Sequence, residues 1–389
     1  MPEPFDNLVV DIIAGLIVAA ILAALGWLWR PRKLANPAAE PPPEGQGSVT
    51  VRAGDRAVTL KDVNVAGDLN IYLDGLPEAK PEVRDPFEEG RRLQNAEQHE
   101  AAIAEFEKAF AAAKNDSQRC ALHILIGNSL AALSRLPEAE GHYRQALAGA
   151  EKADDEEGQA AALGNLGLVY AARGQLDKAE EHLMKALAIH EEIGDRLGQG
   201  QDLGNLGTVY GRRGQLAQAE EHHRRALAID EEIGGRLGQA EDLANLGTVY
   251  AERGELDKAE EHHKKALAIF EETGNRLGQA QDLTNLGNIY DERGELDKAE
   301  EYHRRALAID EEIDHRLRQA EGLVNLGLLA ARRRDGHRAR ELFQQAAQTL
   351  LQQVGGECPA TVHEALELVV APAQPKRKRP RKKPPPKKP

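Results

Sequence analysis

The chain reads as an all-α solenoid of about seven helical hairpins, preceded by one N-terminal transmembrane helix and a short β-rich segment. Three observations point there. A forty-residue phrase is written four times between Ala160 and Gln319, and the copies Ala240–Gln279 and Ala280–Gln319 differ at only 13 positions. Residues 12–29 carry no charge and are mostly Ile, Leu, Val and Ala. Between 48 and 75 the pattern switches to alternating β-branched residues with Gly-Asp pairs, the mark of short strands and turns.

A period of 20–50 residues marks a repeat array, in which each unit buries its apolar face only against its neighbours. In the copy 160–199, Leu163, Leu166, Gly167 and Tyr170 fall at three- and four-residue spacing, one face of a helix. Arg173-Gly174 should stop that helix, because glycine accepts the left-handed C-cap and arginine suits the negative end of the dipole. Leu176, Ala179, Leu183, Ala186, Leu187 and Ile193 then form the inner face of a second helix, closed by Gly194-Asp195. The small residues Gly167, Ala179 and Ala186 allow close approach. Each copy is therefore an antiparallel hairpin.

This pattern resembles the tetratricopeptide repeat family, whose signature offsets are occupied by Leu163, Leu166, Gly167, Tyr170, Ala179, Leu183 and Ala186. They recur at Leu203, Leu206, Gly207, Tyr210, Ala219 and Ala226, and forty and eighty residues later. A fifth copy carries Leu323, Leu326, Gly327, Ala339, Phe343 and Ala346, with Ala330 in place of the tyrosine. Two degenerate copies come first: Gly90, Ala102, Phe106 and Ala109, then Ile126, Gly127, Leu130, Ala139, Tyr143 and Ala146. The resemblance spans 83–353 and implies a right-handed α-solenoid of about seven hairpins. The forty-residue unit with Asn-Leu-Gly is similar to kinesin light chain and spindle-orientation adaptor repeats.

Around the solenoid the expected order is a transmembrane helix over 8–29, a Pro-rich tether over 30–47 and a strand segment over 48–75. A capping helix over 357–371 and a disordered basic tail over 372–389 follow. Eighteen uncharged residues approach the ~20 needed to span a bilayer. Trp27 and Trp29 would anchor the interface, and Arg30, Arg32 and Lys33 would stay inside. The expected location is thus the plasma (inner) membrane, single-pass, with the C-terminal region cytoplasmic. An acidic start, and tryptophan and arginine where cleavage would occur, weigh against a signal peptide.

The formal charge is −14, yet the last fourteen residues alone carry +9, which leaves −23 upstream. That balance argues against nucleic-acid binding by the repeats. Part of the acidity is expected in i,i+4 pairs, Glu181–Lys185, Glu221–Arg225, Glu261–Lys265 and Glu301–Arg305. The tail itself cannot fold, and three uses stay open for it: anionic lipid, nucleic acid, or the acidic repeats. The strand segment suits either packing on the first repeat or self-association through its edges. Cys120 and Cys358 give no disulfide framework.

The leading site candidate is an asparagine ladder, Asn165, Asn205, Asn245, Asn285 and Asn325, once per copy before Leu-Gly. An amide can both donate to and accept from an extended backbone, although duplication or inter-repeat bonding would also explain the row. The resemblance implies that the first helices line a concave peptide groove, with matching asparagines playing that part in kinesin light chain relatives. At its other groove offsets stand Thr208, Thr248 and Asn288, then Arg212, Glu252 and Glu292, together with Gln201, Glu241 and Gln281. They vary between copies, as specificity positions would. The paired lysines that clamp a C-terminal carboxylate in some relatives are missing, so an internal segment is expected. Glu241, Glu252, Asp291 and Glu292 favour a basic one.

Aligned histidines, His182, His222-His223, His262-His263 and His303, are expected to pack and not to bind metal, since His223, His263 and His303 occupy the offset of Leu183 and Phe343. No phosphate loop, dinucleotide turn or nucleophile elbow occurs. Neither catalytic residues nor cofactors are expected, and the chain reads as no enzyme. The expected function is a membrane-anchored interaction scaffold or adaptor that holds partner peptides in the groove. The alternative is a regulatory or sensor subunit of a bacterial signalling or defence system, its oligomerisation controlled by ligand.

Overall fold

The computed structural model describes residues 81–96 and 98–354. Fourteen helices occur among them: α1 (Pro81–Asn95), α2 (His99–Ala112), α3 (Asp116–Ala132), α4 (Leu136–Ala153), α5 (Glu156–Ala172), α6 (Leu176–Ile193), α7 (Arg196–Arg212), α8 (Leu216–Ile233), α9 (Arg236–Glu252), α10 (Leu256–Thr273), α11 (Arg276–Glu292), α12 (Leu296–Glu312), α13 (Arg316–Arg332) and α14 (Gly336–Val354). They fall into two compact units, one running to Ile309 and the other starting at Asp310 within α12.

Seven hairpins are defined by one recurring contact. A glycine of the first helix faces a large side chain of the second: Gly90 with Phe106, Gly127 with Tyr143, Gly167 with Leu183, Gly207 with His223, Gly247 with His263, Gly287 with His303, and Gly327 with Phe343. A Cβ built on any of these glycines would lie 2.5–2.7 Å from that partner, well inside van der Waals contact. The missing side chain is what lets the two axes approach. Alanines at the matching offsets of the second helices, such as Ala179, Ala219, Ala259 and Ala299, are fully buried beside them.

Both turns of each repeat close as the sequence requires. Gly174 (φ 72°) follows α5, and Gln175 N–H donates to the Tyr170 carbonyl at 2.9 Å, satisfying an orphan group of the last turn. Gly194, Gly234 and Gly274 repeat the left-handed cap after the second helices, with φ of 72–75°. Where glycine is absent, Ser134, Asp154, Asp314 and Arg334 hold positive φ themselves. Side-chain N-caps then start the following helices, Asp155 on Gly158 N–H and Asn275 on Gly278 N–H, both at 2.9 Å.

The expected fold class and location are corrected here. The described residues form an all-α array with no strand, so the all-α part holds and the added β-rich segment does not. No helix among them is long and apolar enough to cross a membrane: first helices such as the 17-residue α5 fall short of the ~20 residues a bilayer needs, and second helices such as α10 carry a charged face. The expected inner-membrane, single-pass placement is therefore not sustained. Its span at 8–29, the tether at 30–47, the strand segment at 48–75, the cap at 357–371 and the tail at 372–389 lie outside the described residues.

Candidate functional site

Two polar networks recur along the repeats, and both join one hairpin to the next. The first is a tyrosine–glutamate–arginine clamp. Tyr170 hydroxyl donates to Glu140 at 3.0 Å, Tyr210 to Glu180 at 2.5 Å, Tyr250 to Glu220 at 2.7 Å and Tyr290 to Glu260 at 2.6 Å. The second oxygen of each glutamate takes a guanidinium from the following Arg-Gly turn, Arg173, Arg213, Arg253 and Arg293 respectively. Charge-assisted bonds of this kind are about twice as strong as neutral ones. Partial burial alone would raise Glu260, yet Lys264, Tyr290 and Arg293 together hold it down to about 2. Burial first, then the bonded glutamate, pushes Tyr210 and Tyr290 up to about 12.

The second network is a set of buried histidine–aspartate pairs. His190 Nδ1 meets Asp202 at 2.7 Å, His223 Nδ1 meets Asp242 at 3.3 Å, and His263 Nδ1 meets Asp282 at 2.8 Å. All six residues are buried. Burial lowers His223 to about 4 and raises Asp242 well above its ordinary value. Asp230, buried beside it, is pushed up to about 7 by burial and by the Asp242 charge. Where position 183 is leucine the histidine moves to 190, so Asp202 still finds a partner.

Glutamines add a third link: Gln199 donates to the His190 carbonyl at 2.9 Å, and Gln239 and Gln279 bond the Asp230 and Phe270 carbonyls at 2.8 Å. Each ties a first helix to the C-terminal end of the preceding second helix. The polar chemistry of the described array is thus largely structural.

A tetratricopeptide repeat family model matches residues 117–192, 158–232 and 239–312. These repeats are tetratricopeptide repeats. No curated protein matches the chain. Among solved structures, the tetratricopeptide repeat sensor protein of the Signal Transduction ATPase with Numerous Domains class from Pyrococcus horikoshii has a TM-score of 0.57 at 18% identity, over 77% of this chain. The match covers 46% of that protein, so the chain spans less than half its length. The apo form of RapI gives a TM-score of 0.57 at 12% identity, over 70% of this chain and 99% of that one. A Rap protein complexed with Competence and Sporulation Factor gives 0.53 at 18% identity, over 79% and 97%. At such identities the likeness is one of fold.

The expected site residues take different places on the tetratricopeptide hairpins. Asn165 and Asn285 are buried, and Asn205, Asn245 and Asn325 are half-buried. Asn165 donates to the Ala161 carbonyl of its own helix at 2.9 Å. Thr208 and Thr248 likewise bond back to Gly204 and Ala244, at 3.1 and 3.2 Å. Asn288, Arg212, Glu252 and Glu292 are exposed, and Arg212 reaches the Ala171 carbonyl of the preceding hairpin. Gln201, Glu241 and Gln281 are half-buried on the same helices.

The histidines divide as their offsets suggest. His223, His263 and His303 are buried against the packing glycines. The adjacent His182, His222 and His262 are half-buried, lying on Tyr170, Tyr210 and Tyr250 with ring centroids 4.8–4.9 Å apart. The sequence reading missed Asp202, Asp242 and Asp282, although an aspartate one residue before a core leucine in three successive copies was a visible signal.

Proposed function

We propose that the array is a protein-interaction scaffold that binds a partner segment along the exposed edge of its first helices. The row consists of Arg212, Glu252, Asn288 and Glu292, flanked on the same helices by the half-buried Gln201, Glu241 and Gln281 and by Asn205, Asn245 and Asn285 of the ladder. One observation carries the reading. On the first helices the core positions Leu206, Gly207 and Tyr210 recur unchanged forty and eighty residues later, whereas exposed first-helix positions change in charge and size, as Arg212, Glu252 and Glu292 do at one offset. A structural role fixes the first kind of position and leaves the second free to select a ligand.

The ladder contributes less than five free amides would, since Asn165 bonds its own helix. The outer row then sets preference, and its glutamates favour a basic segment. A Rap protein with this fold was solved with Competence and Sporulation Factor bound, which supports a ligand-binding role for such an array.

The test is a display selection of random peptides on the full chain, followed by titration of the enriched peptides. The triple variant Arg212→Glu, Glu252→Lys, Glu292→Lys changes only exposed side chains and reverses the row. Lysine- and arginine-rich peptides whose affinity falls at least about tenfold, or ~1.4 kcal/mol, in the variant are expected. Enriched peptides that bind native chain and variant equally would remove the row from the account.

A further inference from the structure

The last hairpin reverses the charge of one turn. In the two hairpins before it, the stretch that closes the first helix and opens the second carries four acids and two basic residues, formally −2, at 252–260 and again at 292–300. At 332–340 five arginines, Arg332, Arg333, Arg334, Arg338 and Arg340, stand against the single acid Asp335, formally +4. Three of the changes replace an acid or a glycine. Arg332 takes the offset of Glu252 and Glu292, Arg334 that of Gly254 and Gly294, and Arg340 that of Glu260 and Glu300.

Arg332 ends α13, Arg334 lies in the turn, and Arg338 and Arg340 lie at the start of α14. Arg332, Arg334, His337 and Arg338 are exposed, and Arg340 is half-buried. Arg334 holds a φ of 61°, in the left-handed region that Gly254 and Gly294 occupy without steric cost. Strained positions of this kind collect where a side chain has a task. Asp335 accepts the Arg338 N–H at 3.1 Å, which fixes its carboxylate as the cap of α14. Arg333 stands at the offset of the clamp arginines Arg253 and Arg293, so the patch proper is the other four.

We propose that this turn binds the phosphate backbone of a nucleic acid through Arg332, Arg334, Arg338 and Arg340. A guanidinium fork matches phosphate oxygens two at a time. Between 332 and 340 every exposed residue is charged or histidine, so the turn itself offers no apolar anchor for a protein partner to bury. Exposed ion pairs with an acidic peptide contribute little each and are screened by salt. A duplex instead carries one charge per about 1.7 Å, and each phosphate neutralised releases a condensed counterion. The acidic balance of the other repeats repels a polyanion, which confines contact to this end, and the basic residues of 376–389 follow it in sequence. Contacts to phosphate carry no base readout, so binding is independent of sequence.

The experiment is fluorescence anisotropy of a labelled, mixed-sequence DNA duplex titrated with the full chain over a salt series. The turn variant Arg332→Glu, Arg334→Gly, His337→Asp, Arg340→Glu installs the residues that the sixth hairpin carries, Glu292, Gly294, Asp297 and Glu300, so the fold is kept; circular dichroism verifies this. A second full-length variant, with the nine basic residues of 376–389 changed to Gln, isolates the turn from the tail. Saturable binding by the native chain and by the tail variant is expected. The turn variant should bind at least about tenfold more weakly than the native chain, with a slope of log K against log salt shallower by about 2–3, near 0.9 per arginine lost. No duplex binding by the tail variant, or equal affinity and slope in the native chain and the turn variant, overturns the proposal. Tighter binding of polyglutamate or of phosphatidylserine vesicles than of the duplex also overturns it, in favour of an acidic protein or a membrane.

Discussion

The same substitution should act with opposite sign at two glycines of this array. In α9 a Cβ on Gly247 would stand 2.7 Å from His263 Cδ2, whereas ordinary contact begins near 3.4 Å. The ring must withdraw by about 0.7 Å, yet it is 1% exposed and holds Asp282 at 2.8 Å. Overpacking costs about 1–3 kcal/mol, and disturbing a buried polar pair costs about 1–3 more. The helix-propensity gain of glycine to alanine, about 1 kcal/mol, offsets part of that. Gly247→Ala should therefore destabilise by roughly 1–5 kcal/mol. In α4 nothing lies within 4 Å of a Cβ on Gly141, and later copies place Glu181, Glu221, Glu261 and Glu301 at that offset. Gly141→Ala should stabilise by about 0.5–1 kcal/mol. Repeat arrays open locally, so urea denaturation followed by circular dichroism is best paired with hydrogen exchange on α9–α10 and α3–α4. A Gly247→Ala chain as stable as native, or a destabilised Gly141→Ala, would refute the glycine-contact account of the hairpins.

Other outcomes follow from the polar networks. Asp230 is raised to about 7 against an unfolded value near 3.8, so its ionised form burdens the native state above that pH. Asp230→Asn should therefore stabilise at pH 8, on the order of 1–3 kcal/mol, and lose the advantage as pH falls from about 7 towards 4; a gain that grows on acidification would contradict this in a urea series. Tyr250→Phe removes the bond to Glu220 and should cost about 1–3 kcal/mol, read as faster amide exchange in α8 and α9 and little change in α3. Cys120 is buried and pushed up to about 12 by burial, so peptide-resolved alkylation at pH 8 should leave it unmodified until urea unfolds the chain.

Local order was legible because it depends on spacing within one copy. Gly174 and Gly194 announced their turns, and Gly167 opposite Leu183 announced close packing. The same offsets placed His223, His263 and His303 inside. Charge pairing was legible only in part: Glu181–Lys185 and Glu261–Lys265 form at 2.7 Å, while Arg225 and Arg305 face Glu191 and Glu271 of the preceding hairpins. Bonds between copies were not legible, because a period shows that letters recur and not which neighbour each one meets. Tyr250 reaches back thirty residues to Glu220, and His263 reaches forward nineteen to Asp282. Asn165, expected to face a ligand, donates to the Ala161 carbonyl one turn away on its own helix. The membrane and strand expectations rest on residues 8–29 and 48–75, which lie outside the described residues, and the described helices carry neither.

The account's central claim is that partners meet the first helices. Its most direct measurement is site-specific photocrosslinking in native cells, with a crosslinking side chain at Asn288 of α11 or at Met184 of α6, the latter 54% exposed on a second helix. A discrete protein adduct from position 288, absent from position 184 and lost when Arg212, Glu252 and Glu292 are reversed, is the expected result. The same adduct from both positions, or from 184 alone, would contradict it.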